Sequence, residues 1–241
     1  MKHALTFLIL VGLCACSPKD VASDPLDQAR QLASQEKYEE ALQKHVWIHN
    51  HSLEANPAYY GVRLSFALSD WIELGNKYPK ALATLKSIRD EKTARLLAGD
   101  GDRGLFHDLE SINDHFKESR ATVDLFKKLD SAQPEFAASV YDLADEALIT
   151  AGEYGLAKEY LGDPMDRFAT AKQRFDDGME YAKSSRNGDA SRRAFESIFT
   201  DEIIRLITVL DNTGDSDMAR EIQSNALAVL ESSAIRDAIK N

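Results

Sequence analysis

Five prolines divide this chain into helices. Pro25, Pro57, Pro79, Pro134 and Pro164 each stand just before a stretch whose apolar residues recur at three- and four-residue spacing. Proline lacks an amide hydrogen and clashes with the turn before it, so it breaks a helix interior but fits the first turn. Each therefore marks a helix start. Asp24, Asn56 and Asp163, residue types that cap helix N-termini, precede three of them. Glycines supply the complementary stop signals at Gly75, Gly99, Gly101, Gly152, Gly188 and Gly214. Between these marks Leu64, Leu68, Trp71, Ile72 and Gly75 share one helical face. Leu82, Leu85, Ile88 and Leu96 form a second stripe, Leu105, Leu109, Ile112 and Phe116 a third, and Ile203, Leu206, Ile207 and Leu210 a fourth. No stretch alternates with a two-residue period, so no strands are expected. Only 6 prolines and 12 glycines serve 241 residues, too few for the turn every ~8–12 residues that a sandwich or barrel requires. The expected class is all-α.

A local pattern recurs along this helical body: a turn, a tyrosine or small residue, then alanine three residues later. The copies are Tyr38 with Ala41, Tyr78 with Ala81, Tyr154 with Ala157, and Ser216 with Ala219. Residues 103–136 give a fainter copy, with Ser119 at the tyrosine place and Phe126, Leu129 and Pro134 beyond it. The pattern resembles the tetratricopeptide repeat. The resemblance implies a helical-hairpin repeat array, a tetratricopeptide-like solenoid, over residues 25–241. In such an array a short turn joins paired helices and the small residue lets them approach closely. The intervals between turns are 40, 41, 35 and 62 residues, against about 34 for the repeat. Longer helices would fill them, and the last interval has room for an extra hairpin through residues 165–190.

The first residues resemble a bacterial lipoprotein signal. A short basic start, Met1-Lys2-His3, precedes residues 4–13, which are apolar but for Thr6 and Gly12. That is the length of a secretory core and too short to span a bilayer. Leu13-Cys14-Ala15-Cys16 follows. The resemblance implies a signal peptide at 1–15, cleavage before Cys16, lipid on Cys16, and a polar tether at 16–24. Cys14 departs from the usual small or aliphatic choice, but Leu13 before it makes it the poorer lipid carrier. The competing reading is an ordinary secretory peptide without lipid. Ser17, where aspartate would favour retention, implies the outer membrane, facing the periplasm.

Charge narrows the partners. The formal net charge is −11, and loss of residues 1–15 would leave 28 basic and 40 acidic side chains, a charge of −12. An acidic body of this kind has no electrostatic affinity for nucleic acid or for anionic lipid. Membrane contact is then expected through the anchor on Cys16 alone. Cys14 and Cys16 are the only cysteines, which excludes a disulfide framework or a four-thiolate metal site.

One segment concentrates chemically active side chains. His45, Trp47, Ile48, His49 and His51 are followed by Tyr59, Tyr60, Arg63 and Trp71, so three of the 6 histidines and both tryptophans fall within 27 residues. On a helix His45 shares a face with His49, and Trp47 with His51. The stretch, together with Leu74, Gly75, Tyr78 and Pro79, is similar to one in a group of bacterial tetratricopeptide-like proteins, a resemblance that implies no activity. Three readings compete. In one, Trp47, Ile48 and Trp71 pack between hairpins and the histidines line the surface. In another, Trp47, Tyr59, Tyr60, Arg63 and Trp71 line a groove that receives a peptide, because aromatics and arginine are the usual anchors of interfaces. In the third, His45, His49 and His51 hold a metal, which needs further ligands and an oriented outer shell. The zinc-protease spacing is absent, since Val46 stands where glutamate would follow the first histidine.

No nucleophile motif supports catalysis. The glycines of Gly99, Gly101 and Gly104 match a dinucleotide fingerprint, but they follow a helix rather than a strand and read as a solvated turn. The expectation is a lipid-anchored envelope protein, not an enzyme and without cofactor. It would hold an envelope protein or peptide on a helical-repeat surface. The alternatives are a small-molecule or metal-binding envelope protein, or an enzyme using His45, His49 and His51.

Overall fold

A computed structural model describes residues 24–239. The expected signal peptide at 1–15, Cys14, Cys16 and the tether up to residue 23 lie outside the described residues. Thirteen α-helices and one short 3-10 segment occur among the described residues, and no strand does. No described helix is long and apolar enough to cross a membrane. All five expected prolines open an element. Asp24, Asn56 and Asp163 each accept a backbone amide from the turn they precede.

The chain divides into two compact units, one up to Arg63 and one from Leu64 onward. The first contains α1 (Pro25–Ser34) and α2 (Tyr38–Ala55), which pack together, then a 3-10 turn (Pro57–Tyr59) and the start of α3 (Tyr60–Leu64). Leu26, Ala29, Ala41, Leu42 and Ile48 are buried. Asp24, expected as the end of the tether, is part of this fold. Its Oδ1 accepts the Leu26 amide at 2.8 Å and the Tyr59 hydroxyl at 2.6 Å. Burial would raise the Asp24 carboxyl, but these bonds hold it below the usual range. Burial and the same carboxylate push the Tyr59 phenol up to about 12.

The second unit runs through α4 (Phe66–Lys77), α5 (Pro79–Leu97), α6 (Arg103–His115), α7 (Ser119–Ala132) and α8 (Pro134–Thr150). It continues with α9 (Tyr154–Leu161), α10 (Pro164–Ser184), α11 (Gly188–Asn212), α12 (Ser216–Val229) and α13 (Ser233–Arg236). Successive helices pack on each other from α4 to α9 and again from α10 to α13. In addition α8 packs on α6, and α11 on both α8 and α9. One apolar core runs from Leu96 through Phe106, Phe126, Tyr141 and Phe199 to Ile235.

The same three-residue turn joins α1 to α2, α6 to α7, α8 to α9, and α11 to α12. Its middle residue is left-handed: Glu36, Lys117, Gly152 and Gly214, with φ of 61°, 60°, 76° and 83°. The amide after it donates back to the carbonyl five residues earlier. The pairs are Lys37 to Leu32, Glu118 to Asn113, Glu153 to Leu148 and Asp215 to Leu210, at 3.0, 2.8, 2.9 and 2.9 Å. These bonds satisfy carbonyls that the helix end leaves open. Each new helix begins at Tyr38, Ser119, Tyr154 or Ser216, and the residue three further on, Ala41, Thr122, Ala157 or Ala219, is buried.

The structure corrects three expectations. At Tyr78 the turn is of another kind: that single residue, with φ −132° and ψ 89°, separates α4 from α5, because Pro79 excludes the residue before it from helical backbone. Gly75 lies inside α4 rather than ending it, and a Cβ there would sit 2.2 Å from the Leu82 side chain, so the glycine permits close approach of α5. Gly188 opens α11, while α10 ends where Ser185 turns extended. The expected extra hairpin through residues 165–190 is present: α10 and the start of α11, joined through residues 185–187, fill the interval and pack on each other.

Candidate functional site

Phe168, Ala171, Phe175, Gly178 and Ala182 repeat at three- and four-residue spacing, which gives α10 one buried stripe. Along α11 the corresponding stripe is Phe199, Ile203, Leu206, Ile207 and Leu210. The two helices pack together, and the Phe175 and Phe199 rings meet at 5.0 Å between centroids. Gly178 has no side chain to hold the helices apart. A Cβ there would fall 2.3 Å from the Phe195 ring, and Phe195 meets Tyr181 edge-on at 6.4 Å.

This packing leaves a groove of about 470 Å³, floored by Phe175, Gly178, Phe195 and Phe199. That volume lies within the ~300–1,000 Å³ range of ligand sites. Tyr181 and Ile198 stand on it with 60% and 52% of their surface open to solvent. Large apolar side chains exposed together on a concave surface mark a binding region more than single ones do. Three charged residues also line it. Arg174 forms an ion pair with Glu202, and Asp177 accepts the Gln173 amide at 2.9 Å. Behind Glu202 lies a small cavity of about 30 Å³ among Tyr141, Asp145, Arg167, Glu202 and Arg205, room for one water and no larger ligand.

A second cleft, of about 240 Å³, is polar. Glu110, Asp114, Ser119, Thr122, Glu146 and Thr150 line it. Burial, reinforced by the nearby Asp114 and Glu146 carboxylates, pushes the Glu110 carboxyl up to about 7, with the Ser111 hydrogen bond opposing.

The aromatic and histidine segment is placed differently from a lined groove. Trp47 and Tyr60 are partly exposed, whereas Tyr59, Arg63 and Trp71 are buried. The Tyr59 hydroxyl is bonded to Asp24. Arg63 Nη1 donates to the His49 carbonyl at 3.3 Å, and its guanidinium lies 5.8 Å from the Tyr60 ring. Trp71 Nε1 donates to the Ala81 carbonyl at 3.0 Å. Three of the five expected anchors therefore have their surface committed inside the fold, whereas Trp47 and Tyr60 each keep 39% of theirs exposed. His45 and His49 are buried; His51 is exposed, its Nδ1 3.2 Å from Glu54 and its ring 6.4 Å from Trp47. The histidines split between core and surface, and no group of three or more His, Cys, Asp or Glu able to hold a metal occurs among the described residues.

The groove residues of α10 and α11 were not singled out by sequence. A signal existed: four of the 10 phenylalanines, Phe168, Phe175, Phe195 and Phe199, fall within these two helices. No family model, curated protein or solved structure matches this chain.

Proposed function

We propose that this protein is a lipid-anchored envelope protein that holds a protein partner, with the groove between α10 and α11 as the binding face. The observation that carries the proposal is the apolar groove itself, with Tyr181 and Ile198 exposed on a phenylalanine floor. Binding is favoured over catalysis because the groove presents apolar surface and one ion pair, with no nucleophile or acid–base pair set against it. We read the body as tetratricopeptide-like hairpins. The shared three-residue turn and the buried small residue three positions into the next helix support that reading. The Leu13-Cys14-Ala15-Cys16 sequence supports an anchor on Cys16, in the outer membrane and facing the periplasm. Several acyl chains on one cysteine hold a protein firmly where a single chain does not.

Two experiments test the reading. A photo-crosslinking residue at position 181 should capture the same partner that affinity purification of the anchored protein yields, and Ile198→Glu should abolish both while the circular dichroism stays unchanged. Retention of the partner by Ile198→Glu sinks the groove. Cys16→Ser should end labelling by an alkyne fatty acid and release the protein from membranes; persistent labelling would move the anchor to Cys14. A second reading, a small apolar ligand in the same groove, rests on the groove volume. It predicts ligand-induced thermal stabilisation that Ile198→Glu cancels.

A further inference from the structure

The groove also carries a charge pattern that specifies what would dock there, given the proposal above that it is a binding face. Each exposed apolar residue has an acid one helical turn away: Asp177 precedes Tyr181 by four residues and Asp201 follows Ile198 by three. Both acids are bonded to neutral groups. Asp177 accepts from Gln173 at 2.9 Å and Asp201 from the Ser197 hydroxyl at 3.3 Å. Neither forms an ion pair among the described residues. The single cation lining the groove, Arg174, is already paired with Glu202. Apolar surface is thus framed by two carboxylates with no cation of the protein's own against them.

We propose that the partner presents an amphipathic helix whose apolar face is flanked by lysine or arginine. The lining on α10 extends from Ala171 to Tyr181, about 15 Å at 1.5 Å per residue. A docked helix of about three turns matches that length, laying apolar residues at positions i, i+3, i+4 and i+7 on Phe175, Phe195 and Ile198. Its flanking cations would lie near Asp177 and Asp201. A second copy of this chain fits poorly. Two-fold pairing sets like surfaces together, and here it would oppose two sets of Asp177 and Asp201 in a protein of net charge −11.

The test uses the full chain and two labelled 14-residue helical peptides that share one leucine face. One carries lysines beside that face, the other glutamates. Fluorescence anisotropy should show the lysine peptide binding about tenfold tighter at low salt, an advantage that shrinks as salt rises. The double variant Asp177→Asn, Asp201→Asn should cut the advantage to about twofold. Ile198→Glu should abolish binding of both peptides, and the milder Ile198→Ala should weaken both without loss of helicity. Equal affinity for the two peptides, still lost in Ile198→Glu, overturns the basic flank and leaves the groove standing. Absence of binding, or binding that neither Ile198 variant changes, overturns both.

Discussion

Glu36 and Lys117 occupy the backbone conformation that glycine occupies in the two other turns of the same kind. The helix-ending hydrogen bonds fix that conformation, so the side chain bears the strain, about 1 kcal/mol for a residue with a Cβ. Lys117→Gly should therefore stabilise the protein by about 0.5 kcal/mol after the extra flexibility of the unfolded chain is counted. The exposed 3.7 Å pair of Lys117 with Asp114 offers little against this. Gly214→Ala should destabilise by about 1 kcal/mol. Urea denaturation of both variants reads the signs, and equal signs would show that the turn does not impose left-handed backbone. Glu110 offers a pH test. Its carboxyl is raised from 4.5 to about 7 in the fold, so between those values the folded state binds more protons than the unfolded one. Its contribution to stability is then fully present below about 4.5 and is lost as pH rises through about 7. Glu110→Gln should remove that slope and leave the variant more stable at pH 8, by roughly 1–2 kcal/mol given that its cleft opens to water. A melting series from pH 4 to 8 decides it. Gly152 and Gly214 could be read as turns from sequence alone. Glu36 and Lys117 could not, because their side chains carry no sign of positive φ, and only the Tyr38–Ala41 spacing and the placing of Ser119 ahead of Phe126, Leu129 and Pro134 marked those places.

At the scale of elements, proline was the dependable signal and glycine was not. A proline ring acts on its own backbone and the residue before it, a local effect visible in one sequence. A glycine can end a helix, as Gly99 and Gly152 do with φ of 79° and 76°. It can also clear space for a neighbour, as Gly75 does for Leu82 and Gly178 for Phe195. Which role applies depends on a partner helix that sequence does not identify. Gly178 and Gly155 separate the two effects. Alanine favours a helix interior over glycine by up to ~1 kcal/mol, and nothing lies within 4 Å of a Cβ at Gly155 on α9. Gly155→Ala should be neutral or stabilising by a few tenths of a kcal/mol. At Gly178 the same methyl meets the Phe195 ring at 2.3 to 2.7 Å. Overpacking of that kind costs about 1–3 kcal/mol, so Gly178→Ala should lose about 1–2 kcal/mol net and weaken binding in the groove by displacing Phe195. If thermal melts show Gly178→Ala unchanged, α10 and α11 are not held by that contact.

At the scale of the molecule, the binding face and the expected anchor belong to different parts of the chain. Every residue lining the groove lies between Ala171 and Glu202, whereas Cys16 lies before the first described residue. The second unit has its own core: the cluster from Leu96 to Ile235 draws a residue from each helix from α5 to α13. Sequence gave the helical class and most helix starts, but not this division or the groove. The groove exists because α10 and α11 lie side by side, a pairing of residues some twenty positions apart that no local period encodes. Residues 64–241 expressed alone should therefore fold, melt in one cooperative transition and bind the lysine-flanked peptide with the affinity of the full chain. They should also show no membrane association, since they lack Cys16. Circular dichroism melts and the anisotropy assay measure both properties on one sample. A broad, uncooperative melt would mean that the second unit depends on the first for its core. A cooperative melt with lost binding would mean that α10 and α11 do not by themselves make up the docking surface.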